Sequence, residues 1–210
     1  KIYEMSSLFL GFIIFAIPLV VKEEKEVLKG KYKNIFWLLI GVIFVTAITL
    51  VSTKTSFDIN LETLNIGTAI YIFVVAAVAI SAMILPGISG STILLIFGIY
   101  IPIMNNIKAF IGLNFSVVPS LMIFGFGMIF GVMAFARVAR KCLEKHRSQT
   151  VYAIIGLMLG SIYSIIVGPT SLKEPQAIMN FSTFDIIAFI IGGAVIIGLE
   201  ALKKVLNKKN

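Results

Sequence analysis

Ser81-Ala82-Met83-Ile84-Leu85-Pro86-Gly87-Ile88-Ser89-Gly90-Ser91-Thr92 decides how the chain is read. Two apolar arms, Ile66 to Leu85 and Thr92 to Ile107, meet there at a turn, residues 86–91, that carries no charge. Proline and two closely spaced glycines cannot carry one helix straight through the turn. The first arm is long enough to cross a hydrocarbon core of ~30 Å, which takes ~20 helical residues. The second runs from Thr92 only to Ile101 before Pro102, ~15 Å of helix and about half a bilayer. The reading that follows is a broken or re-entrant hairpin over residues 66–107, with its tip near the midplane. A plain two-helix hairpin is the alternative.

Working outward, the rest of the chain has the same character. Of 210 residues 59% are apolar and 13% charged, and the mean hydropathy is +1.03. Soluble domains have ~45–50% apolar and ~25% charged residues, so this is the composition of an integral membrane protein. Seven apolar segments emerge: Ile2 to Val21, Ile35 to Val51, Ile66 to Leu85, Thr92 to Ile107, Val117 to Phe135, Val151 to Val167 and Phe184 to Leu202. None shows the short alternating pattern of barrel strands. The expected fold is all-α: a polytopic helical membrane protein, one integral domain over 1–210, with about five full transmembrane helices plus the broken hairpin.

The net charge of +8 marks sidedness and not a nucleic-acid face. Most of the 18 Lys and Arg residues fall in three loops, Lys22 to Asn34, Ala136 to Thr150 and Lys203 to Asn210. These loops are expected at the cytoplasmic side, with the C-terminus. A chain that exits after Val51 and starts inward again at Val117 crosses an even number of times between, so the two arms must form a hairpin. An uncharged tip suits a turn that stays out of cytoplasmic water.

Irregular backbone at membrane depth survives only where protein or a water-filled cavity satisfies it. The first N–H groups of the helix opening near Ser91 lack intrahelical acceptors, and the helix dipole adds partial positive charge. Gly87 and Gly90 allow close approach, and Ser89, Ser91 and Thr92 bring hydroxyl donors without formal charge. Pro86, Gly87, Ser89, Gly90, Ser91 and Thr92 thus form a candidate site for an anion, with phosphate the natural guest. The competing reading is a simple kink with Ser91 or Thr92 as N-cap. A third is a serine hydrolase, because Gly87-Ile88-Ser89-Gly90 matches the GxSG of rhomboid-type intramembrane proteases. Its base would have to be His146, the single histidine, which sits in the basic run Arg137 to Arg147. A small-ion or solute channel using the same broken helix is a fourth.

Cys142 is the single cysteine, and no Cys/His cluster has metal-ligand spacing, so neither cofactor nor metal is expected. Glu4, Asp58, Glu62, Asp185 and Glu200 all fall near helix ends or in loops, which leaves no proton relay in the membrane; Asp185 comes nearest, or else favours a helix N-terminus. Gly127 with Gly131 and Gly156 with Gly160 have the spacing that lets helices approach closely. The basic runs suit anionic headgroups, although sidedness alone accounts for them. Asn114-Phe115-Ser116 and Asn180-Phe181-Ser182 match the glycosylation triplet.

The stretch Ser81 to Ser91, followed by Ile93-Leu94-Leu95 and Gly98-Ile99-Tyr100, resembles the signature of the prokaryotic polyprenyl-phosphate transporter family. Leu10-Gly11-Phe12 through Ile17-Pro18 and Gly156 to Ser161 resemble further parts of it. The resemblance implies a bacterial cytoplasmic-membrane transporter, not an enzyme, that returns undecaprenyl phosphate from the outer to the inner leaflet for envelope synthesis. It implies the lipid as partner and Pro86 to Thr92 as the headgroup site, and it leaves room for a homo-oligomer. Members carry a second, similar Pro-Gly element preceded by Asp near the N-terminus. With Lys1 in place of an initiator Met, upstream sequence is expected to be missing.

Overall fold

The computed structural model describes residues 2–52, 65–85, 89–171 and 177–207. Pro86 and Gly87 of the candidate site, with Asp58 and Glu62, lie outside the described residues. Nine α-helices and three short 3-10 turns follow one another among the described residues, with no strand. The helices are α1 (Ile2–Glu23), α2 (Lys25–Leu28), α3 (Ile35–Ser52), α4 (Ile66–Ile84), α5 (Gly90–Ile96), α6 (Tyr100–Ile111), α7 (Val118–Lys145), α8 (Arg147–Val167) and α9 (Ile186–Asn207). Six are long and apolar enough to cross a membrane, and α5 with α6 forms a further pair bent by 109°. The outward faces are apolar, with Ile43, Ile66 and Ile187 among the exposed side chains. That is the surface of a protein dissolved in hydrocarbon, where every backbone group must be satisfied internally. This is a polytopic helical membrane protein.

The helices gather into two compact units, Lys1–Thr49 with Arg147–Asn210, and Leu50–His146. In the first, α1 and α9 run side by side in the same direction. Tyr3 Oη donates to the Ala177 carbonyl (3.0 Å) near their starts, and Lys203 pairs with Glu23 near their ends. Between these, a Cβ on Gly11 would stand 2.3 Å from the Phe189 carbonyl oxygen, and one on Gly192 2.3 Å from that of Leu8. Helices α3 and α8 are likewise parallel, from Asn34 Nδ2 donating to Ser148 Oγ (3.0 Å) to Thr49 Oγ1 donating to Ser164 Oγ (3.0 Å). Gly156 is the closest approach: its Cβ would stand 2.1 Å from the Leu38 carbonyl oxygen. With no hydrophobic drive between helices in lipid, such backbone contact is how they gain dispersion energy.

One end of this unit is charged. The Arg147 guanidinium donates to both carboxylate oxygens of Glu24 (Nε to Oε2 3.0 Å, Nη2 to Oε1 2.8 Å), beside the Glu23–Lys203 pair. Loops that the sequence assigns to a single side therefore do share an end within this unit. At the other end Asp185 caps α9: its Oδ1 accepts from the Ala188 N–H (2.9 Å), and its own N–H donates to the buried Ser7 Oγ (3.0 Å). Of the two roles open to Asp185, the structure shows the helix-capping one.

In the second unit α4 begins at Asn65, whose Oδ1 accepts from the Thr68 N–H (2.8 Å) as an N-cap. α7 runs parallel to α4 with Gly127 against Phe73 and Gly131 against Ala77. The Ser81 hydroxyl, donating to the Ala77 carbonyl of its own helix (2.7 Å), reaches the Gly131 carbonyl at 3.3 Å. Because α4 and α7 point the same way, the segment between them must return to the side where α4 began. It does so through α5, which runs back along α4 from Gly90 beside Ala79 and Met83 to Phe97 beside Tyr71.

The return arm is shorter than the sequence suggests. The expected run from Thr92 to Ile101, broken by Pro102, is instead broken at Gly98, and Pro102 lies in the first turn of α6. There a proline costs little, since the missing N–H would have no intrahelical acceptor. At Gly98 the backbone turns left-handed, φ +68°. The Ile99 N–H bonds the Leu94 carbonyl and the Gly98 N–H that of Leu95, both at 3.0 Å. This is a Schellman motif with glycine at its left-handed position. Ile72, Val75, Ile99 and Ile103 pack into a buried core around the break, with Tyr71, Leu94, Ile123 and Phe124 against them.

Candidate functional site

The described part of the tip starts at Ser89, the exposed N-cap of α5, with φ −87° and ψ 129°. Its side chain makes no capping bond. Instead the Ser89 and Ser91 hydroxyl oxygens lie 2.7 Å apart, one donating to the other. Both residues are exposed, Thr92 is half-buried and Gly90 is buried. A hydroxyl pair of this kind leaves unused oxygen lone pairs and one unused O–H, so it can turn a donor toward an incoming oxyanion. It brings no fixed charge into an apolar setting.

The Ile93 N–H bonds the Ser89 carbonyl (3.3 Å), the first turn of α5. The N–H groups of Gly90, Ser91 and Thr92 precede any acceptor that this helix could give them. Gly90 is placed against α4: a Cβ there would lie 3.4 Å from the Ala79 carbonyl oxygen and 3.5 Å from Met83 Cβ and Sδ. A methyl would be in ordinary contact, while a branched side chain would push against Met83. Glycine therefore sets how closely the tip follows α4.

Four of the six expected site residues, Ser89, Gly90, Ser91 and Thr92, are thus brought together on the first turn of α5. His146 caps the end of α7, its N–H bonded to the Cys142 carbonyl (2.8 Å), and the described partner of the Ser89 hydroxyl is Ser91. Among the described residues no group of three or more His, Cys, Asp or Glu could hold a metal ion.

Sequence reading missed the anchor at the other end of α5. The Tyr71 hydroxyl donates to the Phe97 carbonyl (2.8 Å), one of the acceptors that the break sets free. A lone tyrosine within an apolar run was the available signal, since buried Tyr hydroxyls usually find a partner.

The parallel helix pairs, the short return arm and its hydroxyl-bearing tip define a class: a polytopic membrane protein built around a broken helix, a device common in transporters. Residues 1–183 match the family model described as undecaprenyl phosphate translocase-like, and the chain belongs to that family. It is 32% identical over 185 residues to a polyprenyl-phosphate transporter of Staphylococcus aureus, covering 88% of this chain and 63% of the relative. A polyprenyl-phosphate transporter of Vibrio cholerae is 33% identical over 159 residues, 76% of this chain and 46% of the relative. The chain thus spans between about half and two thirds of the length of these curated relatives. No solved structure matches it.

Proposed function

We propose that this chain forms part of a transporter that carries undecaprenyl phosphate from the outer to the inner leaflet of the bacterial cytoplasmic membrane, where the lipid carrier is reused in envelope synthesis. The observation that carries this reading is family membership over residues 1–183, together with relatives named as polyprenyl-phosphate transporters. Pro86, Gly87, Ser89, Gly90, Ser91 and Thr92 receive the phosphate, while the isoprenoid tail stays among lipid chains along the apolar outer faces. The protein moves its ligand without chemical change. The basic loops and the C-terminus face the cytoplasm, in keeping with the charged end that gathers Glu23, Glu24, Arg147 and Lys203.

The hydroxyl pair at Ser89 and Ser91 supports a phosphate monoester as the guest, because neutral donors and backbone N–H groups suit an oxyanion that must later be released. Leaflet exchange of a fluorescent polyprenyl phosphate in proteoliposomes, with the natural full-length polypeptide, tests the reading. Exchange that Gly90→Val abolishes is the expected result. Conduction of small anions with no lipid exchange would replace the proposal with the channel reading.

A further inference from the structure

We infer that α6 and the turn after it, residues 100–117, lie along the membrane boundary and not across it, with Leu113 and Phe115 inserted where headgroups meet acyl chains. Depth is given by α7. Val118 to Ala136 carries no charge and supplies about 28 Å of helix rise before Arg137 opens the basic end, close to the thickness of a hydrocarbon core. The start of α7 therefore marks the opposite border of the membrane. α6 is tied to that start: Asn106 Nδ2 donates to Ser120 Oγ (3.3 Å), and the Phe110 ring meets that of Phe115 edge-on at 6.1 Å. Direction is given by the break, since α5 runs back along α4 and α6 leaves α5 at 109°, crosswise to the spanning helices.

The faces of α6 suit that position. Ile103 lies in the buried core around the break. Asn105 and Lys108, three residues apart, form an exposed polar edge, and Ile107 and Ile111, four apart, an exposed apolar one. A helix with separate polar and apolar edges is stable in the interface plane. The turn adds a costlier feature. Leu113 has φ +63° and is the one residue other than glycine with positive φ among the described residues. Its N–H bonds the Phe110 carbonyl (3.0 Å) and the Asn114 N–H that of Ala109 (2.9 Å), a Schellman cap with leucine where glycine is usual. Gly112, one position earlier, spends its freedom on an ordinary φ of −77°. Leu113 is 75% exposed, so no protein contact offsets the strain, whereas burial of its side chain in lipid does. Asn114 Oδ1 then accepts from the Ser116 N–H (3.1 Å) and hydroxyl (2.7 Å), a turn that leaves Phe115 64% exposed. The same Asn-Phe-Ser turn precedes α9, where Asn180 Oδ1 accepts from the Ser182 N–H (3.1 Å) and hydroxyl (2.6 Å) and Phe181 is fully exposed. Because α6 begins two residues after Gly98, its seat at the boundary fixes the depth at which α5 ends.

The test places an environment-sensitive fluorophore on single cysteines of the full-length protein in nanodiscs, with its native cysteines, Cys142 among them, replaced by serine. Phospholipid with a nitroxide high on its acyl chain quenches from the boundary, and iodide quenches from water. The lipid nitroxide should quench Leu113→Cys and Ile111→Cys about threefold more than Asn105→Cys, and iodide should reverse that order. Leu113→Gly should hold or raise the thermal midpoint in detergent, because it relaxes the turn and removes no protein contact. Iodide quenching at all three positions would overturn the inference by putting the turn in water. Protection of Leu113→Cys from both quenchers, or a clear fall in the midpoint of Leu113→Gly, would overturn it by showing protein cover. Disulfide-linked pairs of Leu113→Cys would replace lipid with a second copy of the chain.

Discussion

The Tyr71 hydroxyl holds the Phe97 carbonyl at 2.8 Å, so a side chain of α4 closes the backbone gap where α5 ends. A carbonyl freed in an apolar setting costs free energy until something donates to it. Tyr71→Phe removes the donor and leaves the ring. Expected is a loss of about 0.5–1.5 kcal/mol in unfolding free energy, the net worth of one hydrogen bond, read by denaturant titration in mixed micelles. Water reaching the carbonyl in the variant would bring the loss below that range.

Gly98 tests the same joint from the backbone side. Its φ of +68° suits glycine, and an L side chain there costs about 1–2 kcal/mol. Gly98→Ala should lower the unfolding midpoint. Gly125→Ala, where a Cβ meets nothing within 4 Å, should leave it unchanged or raise it slightly. Equal effects at the two positions would show that the left-handed turn is not under strain from the side chain.

The α4–α7 contact has no such tolerance. A Cβ on Gly131 would lie 2.4 Å from the Ala77 carbonyl oxygen, and one on Gly127 2.5 Å from that of Phe73. Gly131→Leu must therefore part the two helices, with an expected loss of several kcal/mol or failure to accumulate in the membrane. Expression level and thermal unfolding report it. Gly90→Ala, with its methyl at ordinary contact distance, should be near-neutral in the same assay.

At the tip, single hydroxyl deletions should be mild. Ser89→Ala removes one member of the 2.7 Å pair but leaves Ser91 and the backbone donors. A loss of about threefold to tenfold in polyprenyl-phosphate affinity is expected, set against loss of detectable binding in Gly90→Val. Titration of each variant with the same fluorescent lipid gives the comparison. A Gly90→Val protein that binds as well as the parent would remove the tip from the site.

Much of this architecture is legible in the sequence because lipid imposes simple rules. Charge interrupts apolar runs, and each of the six long spans overlaps one of the segments read from that pattern. The Gly127/Gly131 and Gly156/Gly160 spacings announced close approach, and the structure shows which backbones they meet. The break in the return arm was misplaced to Pro102 because proline is the louder signal. Gly98 wins because a proline in a helix's first turn breaks nothing, whereas a left-handed glycine completes a Schellman cap. Tyr71 stood out as a lone tyrosine in an apolar run, but its partner was not legible, since that carbonyl exists as an acceptor only once the chain has bent.

The glycine contacts of α7 bear on how this unit could move. Helix α4 cannot slide along α7 without driving a side chain into a carbonyl, so those two helices behave as one strut. The seven-residue α5 is tied to the strut by a tyrosine hydroxyl at one end and by van der Waals contact at Gly90 on the other. The two ends of α5 are therefore held unequally, by a hydrogen bond and a buried core at Phe97 to Ile99 and by dispersion alone at Gly90.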